Sequence, residues 1–268
     1  MKSARFSFGH ITLLTVICSF YLYPQQNERN YLGGSFGGSD FHIRDDQASP
    51  LIFSSIGIAP TLQFIYNGEE SRQYGEVSYY DHYLATSADN FHTVNRRGRA
   101  RYSYLCAAAE FAILNHDVHL FVGGSVNSFL CHSDYYYLYI PPTLGRTLES
   151  WYWSTSGDVA LQLEYTSGER EWISFQLYLP LVSNVSRPAY SASGDYNYIE
   201  NDWKFKAFGK TKVFPINFSV NALWIYQRPL FGSLNLQLSY ELFFSSYPIP
   251  RDVSMYMNNL RAGIFYCF

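Results

Sequence analysis

Two adjacent pairs of residues in this chain carry the side chains used in acid–base and nucleophilic chemistry. Asp81 is followed by His82, and His132 is followed by Ser133. A histidine oriented by a carboxylate and a serine activated by a histidine are the usual parts of a hydrolase site. Both pairs fall in or at the end of segments that alternate like β-strands, where consecutive side chains point to opposite faces. The members of each pair therefore do not face each other, and the sequence predicts no catalytic centre from them.

Metal and cofactor chemistry has equally little support in the sequence. His116 and His119 have no two further ligands close by, although a structural zinc site needs four ligands. No glycine-rich phosphate loop stands between a strand and a helix. Cys106, Cys131 and Cys267 follow the N-terminal stretch that holds the fourth cysteine, and an odd number closes no disulfide framework. We expect no cofactor, no metal and free thiols.

The elements that carry these residues are strands with a period of two. From Phe214 to Tyr226 every even position is apolar, and the odd positions begin with Pro, Asn, Ser and Asn. The run from Leu234 to Phe244 repeats this pattern, with Asn, Gln, Ser and Glu opposite the apolar face. Soluble strands average about 5–6 residues, whereas a tilted strand needs roughly 9–11 to cross a bilayer. These long two-faced strands therefore indicate a transmembrane β-barrel.

The strands form a series joined by links of alternating length. We predict spans near 31–41, 51–66, 72–85, 99–114, 118–132, 150–165, 171–183, 210–226, 233–245 and 255–268. Short turns alternate with longer links, as in outer-membrane barrels, where the short turns face the periplasm. The apolar side chains would overfill a narrow lumen, so they must face lipid. The predicted fold is an all-β antiparallel barrel of about 10 strands, with 8–12 compatible with the pattern.

Targeting and composition agree with this fold. Lys2 and Arg5 precede an apolar stretch from Ile11 to Tyr23, which has the length of a secretory signal core. We predict a signal peptide over 1–26 and the barrel domain over 27–268. Tyrosines number 25 and suit surfaces that are apolar at one end and wet at the other. The expected location is the cell outer membrane, in contact with its lipid.

Charged residues on the polar faces are candidate groups of the lumen. Glu241 and Arg261 share the inward side of one predicted hairpin, where they either pair or face water separately. Glu110 and Glu164 are assigned to the lumen by the same alternation. In the strand from Arg99, the predicted outward face contains Leu105 and the odd positions after it. Arg101 has the same parity, which requires a bulge near Ser103 or emergence from the bilayer.

The one dense cluster of charge lies at 95–101. Arginine contacts phosphate through paired hydrogen bonds, so Arg96, Arg97 and Arg99 are candidate contacts for lipopolysaccharide at the external rim. A solvated loop is the alternative interpretation of the same residues. The formal net charge is -3, and no nucleic-acid-binding fold matches the pattern. We therefore expect no nucleic-acid partner.

Two sets of residues resemble known protein families. The terminal Phe268, with Tyr266 two residues before it, resembles the assembly signal of Gram-negative outer-membrane β-barrel proteins. That resemblance implies a contact between the last strand and the barrel-assembly machinery. Leu32-Gly33-Gly34-Ser35-Phe36, the segment 56–61 with Pro60, and the segment 74–80 that opens on Tyr-Gly are similar to the porin-like or OmpA-like β-barrel superfamily. Members mostly lack an assigned activity, so this resemblance implies fold and location.

Three functional classes remain open from the sequence. A narrow barrel favours a structural or surface-contact role, and a narrow passive channel is the second interpretation. The alternative is an enzyme that modifies envelope lipids at the external rim, where a serine, a histidine and an acidic group would have to converge. Omptin-type proteolysis would need paired carboxylates and a His–Asp couple at that rim. Asp45 and Asp46 adjoin the first long link, but no matching late-strand His-x-Asp pattern follows, so we expect a protein without enzymatic activity.

Overall fold

The computed structural model describes residues 29–87, 91–113, 116–137, 148–167, 170–188, 192–193 and 209–268. The predicted signal peptide lies outside these residues. Within the described ranges, no helix is long and apolar enough to cross a membrane. The strands are β1 (Arg29–Asp45), β2 (Ser49–Ile58), β3 (Thr61–Asn67), β4 (Ser71–Ala85), β5 (Phe91–Ile113), β6 (His116–Tyr137), β7 (Leu148–Thr166), β8 (Trp172–Ser186), β9 (Ala192–Ser193), β10 (Lys210–Val213), β11 (Phe218–Phe231), β12 (Leu234–Tyr247) and β13 (Val253–Cys267).

The antiparallel sheet closes into a ring because the first and last long strands pair. β1 and β13 are joined from Tyr31↔Cys267 to Asp45↔Val253. β2 and β3 form one wall strand, since both pair with β1 on one side and β4 on the other. β10 and β11 likewise occupy one position beside β8. The described ring therefore has ten strand positions, and the prediction of an all-β antiparallel barrel is confirmed.

The pairing register sets the tilt of the strands. We start at Arg29 on β1 and step to the paired residue on each neighbouring strand in turn. This path around the ring returns to β1 at Phe41, a displacement of 12 residues. With a rise of about 3.3 Å per residue and about 4.8 Å between strands, this displacement gives a tilt of about 40°. Tilted strands of 14 or 15 residues, such as β12 and β13, are long enough to span a bilayer.

The outer surface is apolar and the side chains alternate as predicted. On β12 and β13, the odd positions from Asn235 through Phe265 are buried inside the ring, and the even positions are exposed or half-buried. Large apolar side chains are exposed around the whole wall; among them are Leu32, Phe36, Leu62, Val122, Val126, Leu163, Ile173, Leu181, Trp224, Leu238, Leu260 and Ile264. Tyr79, Tyr83 and Tyr256 are exposed toward the long-link end, and Tyr266 and Phe268 at the short-turn end. This distribution is that of a lipid-facing belt with aromatic girdles.

The wall strand β5 differs from the prediction in both its start and its faces. It begins at Phe91, because the link after β4 is much shorter than the sequence suggested. Its odd positions from Thr93 through Leu105 are buried inside the barrel, so the predicted outward face was wrong at Leu105, whereas Ala107, Ala109, Phe111 and Ile113 are exposed as predicted. The bulge lies between Ala107 and Ala109, further along than expected. Pairing along the full length with β4 and β6 decides the face, which the local pattern alone did not show.

The glycine-rich first strand allows close approach to its neighbour. Gly37 faces Arg261 across the β1–β13 ladder. A Cβ added at Gly37 would overlap the carbonyl oxygen of Leu260, whereas one added at Gly38 would meet nothing within 4 Å. The close approach of β1 to β13 therefore requires a glycine at position 37, whereas position 38 has room for a side chain.

Candidate functional site

The centre of the lumen holds a belt of five charged side chains. Glu76, Arg99, Arg101, Glu241 and Arg261 all occupy inward positions of their strands, and each side chain is at most 2% exposed. Glu241 accepts a hydrogen bond from Arg99, and its Oε2 lies 3.2 Å from Nη2 of Arg261. Glu76 Oε2 lies 3.5 Å from Nη2 of both Arg101 and Arg261. Three guanidinium groups thus share two carboxylates, leaving a formal charge of +1.

Neutral polar groups complete this belt across the barrel. Asn221 Nδ2 and Asn259 Nδ2 donate to the two oxygens of Glu241 at 2.6 and 2.9 Å. Arg261 Nη1 donates to Thr61 Oγ1 at 2.9 Å, and Arg101 Nη1 donates to Asn221 Oδ1. The bonded groups come from strands on several sides of the ring, so the belt closes the lumen. Interlocked charge-assisted hydrogen bonds of this kind rigidify a buried polar layer.

Apolar side chains fill the lumen on both sides of the belt. Toward the long-link end, a buried cluster includes Phe41, Phe53, Tyr80, Phe129, Tyr135, Tyr152, Phe243, Tyr247, Met255 and Met257. Toward the short-turn end, a second cluster comprises Tyr31, Ile65, Tyr74, Trp172, Leu223, Ile225 and Phe265. Leu223 and Ile225 continue the face of β11 that begins with small polar residues. The interior is therefore a packed core with a polar middle, and the polar lining expected from the alternation of side chains is found only in part.

The structure separates the four predicted lumen charges. Glu241 and Arg261 meet inside the barrel, as one of the two open interpretations stated. Glu164 is also buried, but it pairs with Arg72 at 2.6 Å, nearer the short turns. Glu110 lies on the projecting end of β5, is 62% exposed and sits 4.0 Å from His119. Glu110 was therefore misplaced, because β5 continues past its neighbour β4 and leaves the lumen there.

The three predicted rim arginines also separate. Arg96 faces outward and is half exposed, with Nη1 3.4 Å from Asp134 Oδ2. Arg97 and Arg99 face inward and are buried, which corrects their expected place on an exposed rim. Sequence reasoning missed Glu76 and Arg101 as lumen charges. The register between β4 and β5, which pairs them directly, was the information needed to find them.

The residues suited to hydrolase chemistry remain apart among the described segments. Asp81 is exposed outside while His82 is buried inside, as the alternation predicted. Ser133 is buried and accepts a hydrogen bond from Asn95 Nδ2 at 2.7 Å, whereas His132 is on the opposite face. The described residues hold no group of three side chains suited to a metal ion. Cys106, Cys131 and Cys267 are free thiols, in agreement with the sequence.

A polar bridge crosses the mouth of the barrel at the long-link end. Asp45, the last residue of β1, accepts hydrogen bonds from Ser150 on β7 and from Arg187, which follows β8. Gln47 Nε2 donates to the carbonyl oxygen of Pro188 at 2.9 Å. Since β7 and β8 lie on the far side of the ring from β1, these bonds close the mouth above the apolar cluster.

Comparisons with known proteins agree with this architecture. The outer membrane protease OmpT from Escherichia coli has a similar structure, with a TM-score of 0.52 and 8% identity, over 92% of this chain and 99% of that one. The attachment invasion locus protein Ail of Yersinia pestis matches with a TM-score of 0.35 and 9% identity, over 88% of this chain and 99% of that one. Neisserial surface protein A matches with a TM-score of 0.33 and 12% identity, over 88% of this chain and 96% of that one. No family model and no curated protein matches this sequence.

The likeness to OmpT at this identity shows the fold alone. Combined with the closed ring and its apolar outer belt, it defines the class: the chain is a small outer-membrane β-barrel protein of the Gram-negative type. Its location is the outer membrane, because a surface of exposed leucine, isoleucine and phenylalanine around a closed barrel is stable only in lipid.

Proposed function

We propose that this barrel acts as a structural or surface-contact protein of the outer membrane and does not conduct solutes. The observation that carries the proposal is the central belt, in which Glu241 and Arg261 are inaccessible to water from either end. A channel needs a continuous water path past its lining groups. Here the packed apolar clusters add two further barriers, one on each side of the belt.

The contact surface would be the long-link end. Among the described wall strands, the longest separations in sequence are between β6 and β7, with ten residues at 138–147, and between β8 and β10, at 187–209 with β9 inside. In outer-membrane barrels such links face the exterior, while the short turns face the periplasm. The filled interior makes the wall at this end a rigid base, which suits contact with other molecules better than passage of solutes.

Lipopolysaccharide is the proposed lipid partner of the outer wall. On adjacent strands, Asp81 pairs with Arg96, and Arg96 pairs with His132, so these outward side chains form one row. Arg96 is the member suited to a phosphate oxygen, since its guanidinium is half exposed. The barrel-assembly machinery is the proposed partner of β13 and of Phe268, which follows β13 and stacks beside Tyr266 with ring centroids 6.3 Å apart.

Planar-bilayer conductance of the refolded protein tests the closed lumen. The wild-type protein should give no steady ohmic steps. The double variant Arg99→Ala, Arg261→Ala removes two large side chains from the belt but leaves both apolar clusters in place, so it should also give no steady steps, and heat-dependent gel mobility should show that each barrel is folded. Arg96→Ala removes the same side chain from the outer face of β5 and should stay silent. Steady ohmic steps from the wild-type protein would instead establish a narrow channel.

A further inference from the structure

The barrel wall has a break in its hydrogen-bond ladder between β2 and β4. β3 pairs with β4 along its whole length, whereas β2 pairs with β4 at Ser54↔Ala85 alone. The facing stretches 55–60 and 79–84 are not joined by ladder pairs, although β2 stays paired with β1 on its other side. Unpaired backbone groups are costly in hydrocarbon, so a gap of this kind is tolerated better at the level of the lipid head groups.

A proline and a glycine produce this break and determine what fills it. Pro60 has no N–H to donate to β4, and the N–H of Ala59 belongs to the other side, where it donates to the carbonyl oxygen of Gly37 on β1 at 2.9 Å. The register is the same on both sides of the break, which places Gly57 opposite His82. A Cβ at Gly57 would overlap Cε1 and Nδ1 of the imidazole. The His82 ring therefore closes the break, and it fits because Gly57 has no side chain.

The break lies at the level where the outer wall changes from apolar to polar. Tyr79 and Tyr83 are exposed on its β4 side, with Asp81 between them. Ile56 and Ile58 are exposed on its β2 side, at 84% and 69%. Tyrosine next to charged residues marks the boundary between hydrocarbon and head groups. The break thus opens on lipid head groups of the leaflet at the long-link end, with an apolar surface directly beside it.

Behind the break lies a buried guanidinium group. Arg97 starts on β5, passes Tyr80 of β4 with its Cζ 4.8 Å from the ring centroid, and ends 3.6 Å from the ring centroid of Phe41 on β1. Its Nη1 donates to Met257 Sδ at 3.2 Å. Because β2 lies between β1 and β4, this path carries the guanidinium group across the inner side of the unpaired stretch.

This guanidinium group lacks the partner that the other inward arginines have. Arg72, Arg99, Arg101 and Arg261 each lie within 4.0 Å of a glutamate oxygen. In the described part of the chain, Arg97 is paired with no carboxylate, and its Nε and Nη2 donate no hydrogen bond. A buried charge without a counter-ion is unfavourable, and an anionic ligand would supply the missing partner.

We propose that the break between β2 and β4 is a lateral portal by which the anionic head group of a membrane amphiphile reaches Arg97. His82 closes the portal in the unliganded protein and moves aside on binding. A phosphate head group fits, since Nε and Nη2 of Arg97 form the side of the guanidinium fork that binds two oxygens together. The alkyl chain stays outside, against Ile56 and Ile58, so the packed lumen need not open.

Binding of dodecyl phosphate to the whole barrel in neutral maltoside micelles tests this proposal by calorimetry. Arg97→Gln should weaken binding at least tenfold, and Arg97→Lys, which keeps the charge but loses the fork, should fall between. Arg44→Gln removes an exposed arginine of the same end and should change the affinity less than twofold. Unchanged affinity in Arg97→Gln would overturn the site. Equal affinity for inorganic phosphate would overturn the membrane route, because a free anion would then suffice.

A second measurement needs no variant and covers the case in which Arg97→Gln does not fold. An alkyl phosphate with a photoreactive group near the start of its chain is bound to the wild-type protein and irradiated. Mass spectrometry should find the label in peptides that contain 55–60 or 79–84. Labelling confined to other parts of the wall would overturn the portal.

Discussion

Neutralising Glu241 gives the sharpest test of the central belt. In Glu241→Gln the shape is kept, but the formal charge of the belt rises from +1 to +2. Asn221 and Arg99 donate to Oε1, and Asn259 and Arg261 donate to Oε2. A glutamine has one acceptor oxygen, so its amide nitrogen must face two of these four donors.

The expected loss of stability follows from that geometry. Two charge-assisted hydrogen bonds disappear, at about 1.5–3 kcal/mol each, and breaking a buried pair by removal of one partner costs about 3–5 kcal/mol. We expect the free energy of unfolding to fall by about 3–5 kcal/mol. The measurement is guanidinium chloride unfolding of the barrel in lipid vesicles, followed by tryptophan fluorescence.

Two controls make this result interpretable. Glu110→Gln changes the same side chain on the exposed end of β5 and should cost less than about 0.5 kcal/mol. The double variant Glu241→Gln, Arg99→Gln restores the formal charge of +1 and should recover part of the loss, since groups in one network are coupled. A loss below about 1 kcal/mol in Glu241→Gln would refute the tightly coupled belt.

Two further predictions concern the seam of the ring. Gly37→Ala should lower the free energy of unfolding by about 1–3 kcal/mol in the same assay, because its methyl group overlaps the carbonyl oxygen of Leu260. The control Gly38→Ala should be neutral or slightly stabilising. Equal effects of the two substitutions would contradict the close approach of β1 to β13. Phe268→Ala should reduce the amount of folded barrel assembled in cells, measured by heat-dependent gel mobility, whereas the control Cys267→Ala should not. Normal assembly of Phe268→Ala would exclude Phe268 as an assembly signal.

The closed ring could be predicted because strands that face lipid on one side have a strong local signature. The even positions of 234–244 are all large and apolar, and the structure places them on the outer wall of β12. The same logic failed on β5, where Arg97, Arg99 and Arg101 alternate with small residues and neither face is clearly apolar. Their inward direction depends on pairing with Tyr80, Ser78 and Glu76 of β4, which no local pattern records.

The candidate site was found only in part for the same reason. Glu241 and Arg261 are close in one hairpin, so alternation sufficed to bring them together. Glu76 and Arg99 contact them from the other side of the lumen. Arg99 and Glu241 are 142 residues apart in the sequence, so no local pattern links them. Such partners are set by the displacement of 12 residues around the ring, which is a property of the closed sheet.

The amino-acid sequence by itself determined the wall: long strands with a period of two can bury their backbone polar groups in lipid only by closing into a barrel, and their apolar faces must then lie outside. Tertiary structure alone decided what fills that wall. The shear of the ring selects which inward side chains meet, so it made the lumen a closed charged belt between apolar clusters and left Arg97 without a carboxylate behind a break in the ladder.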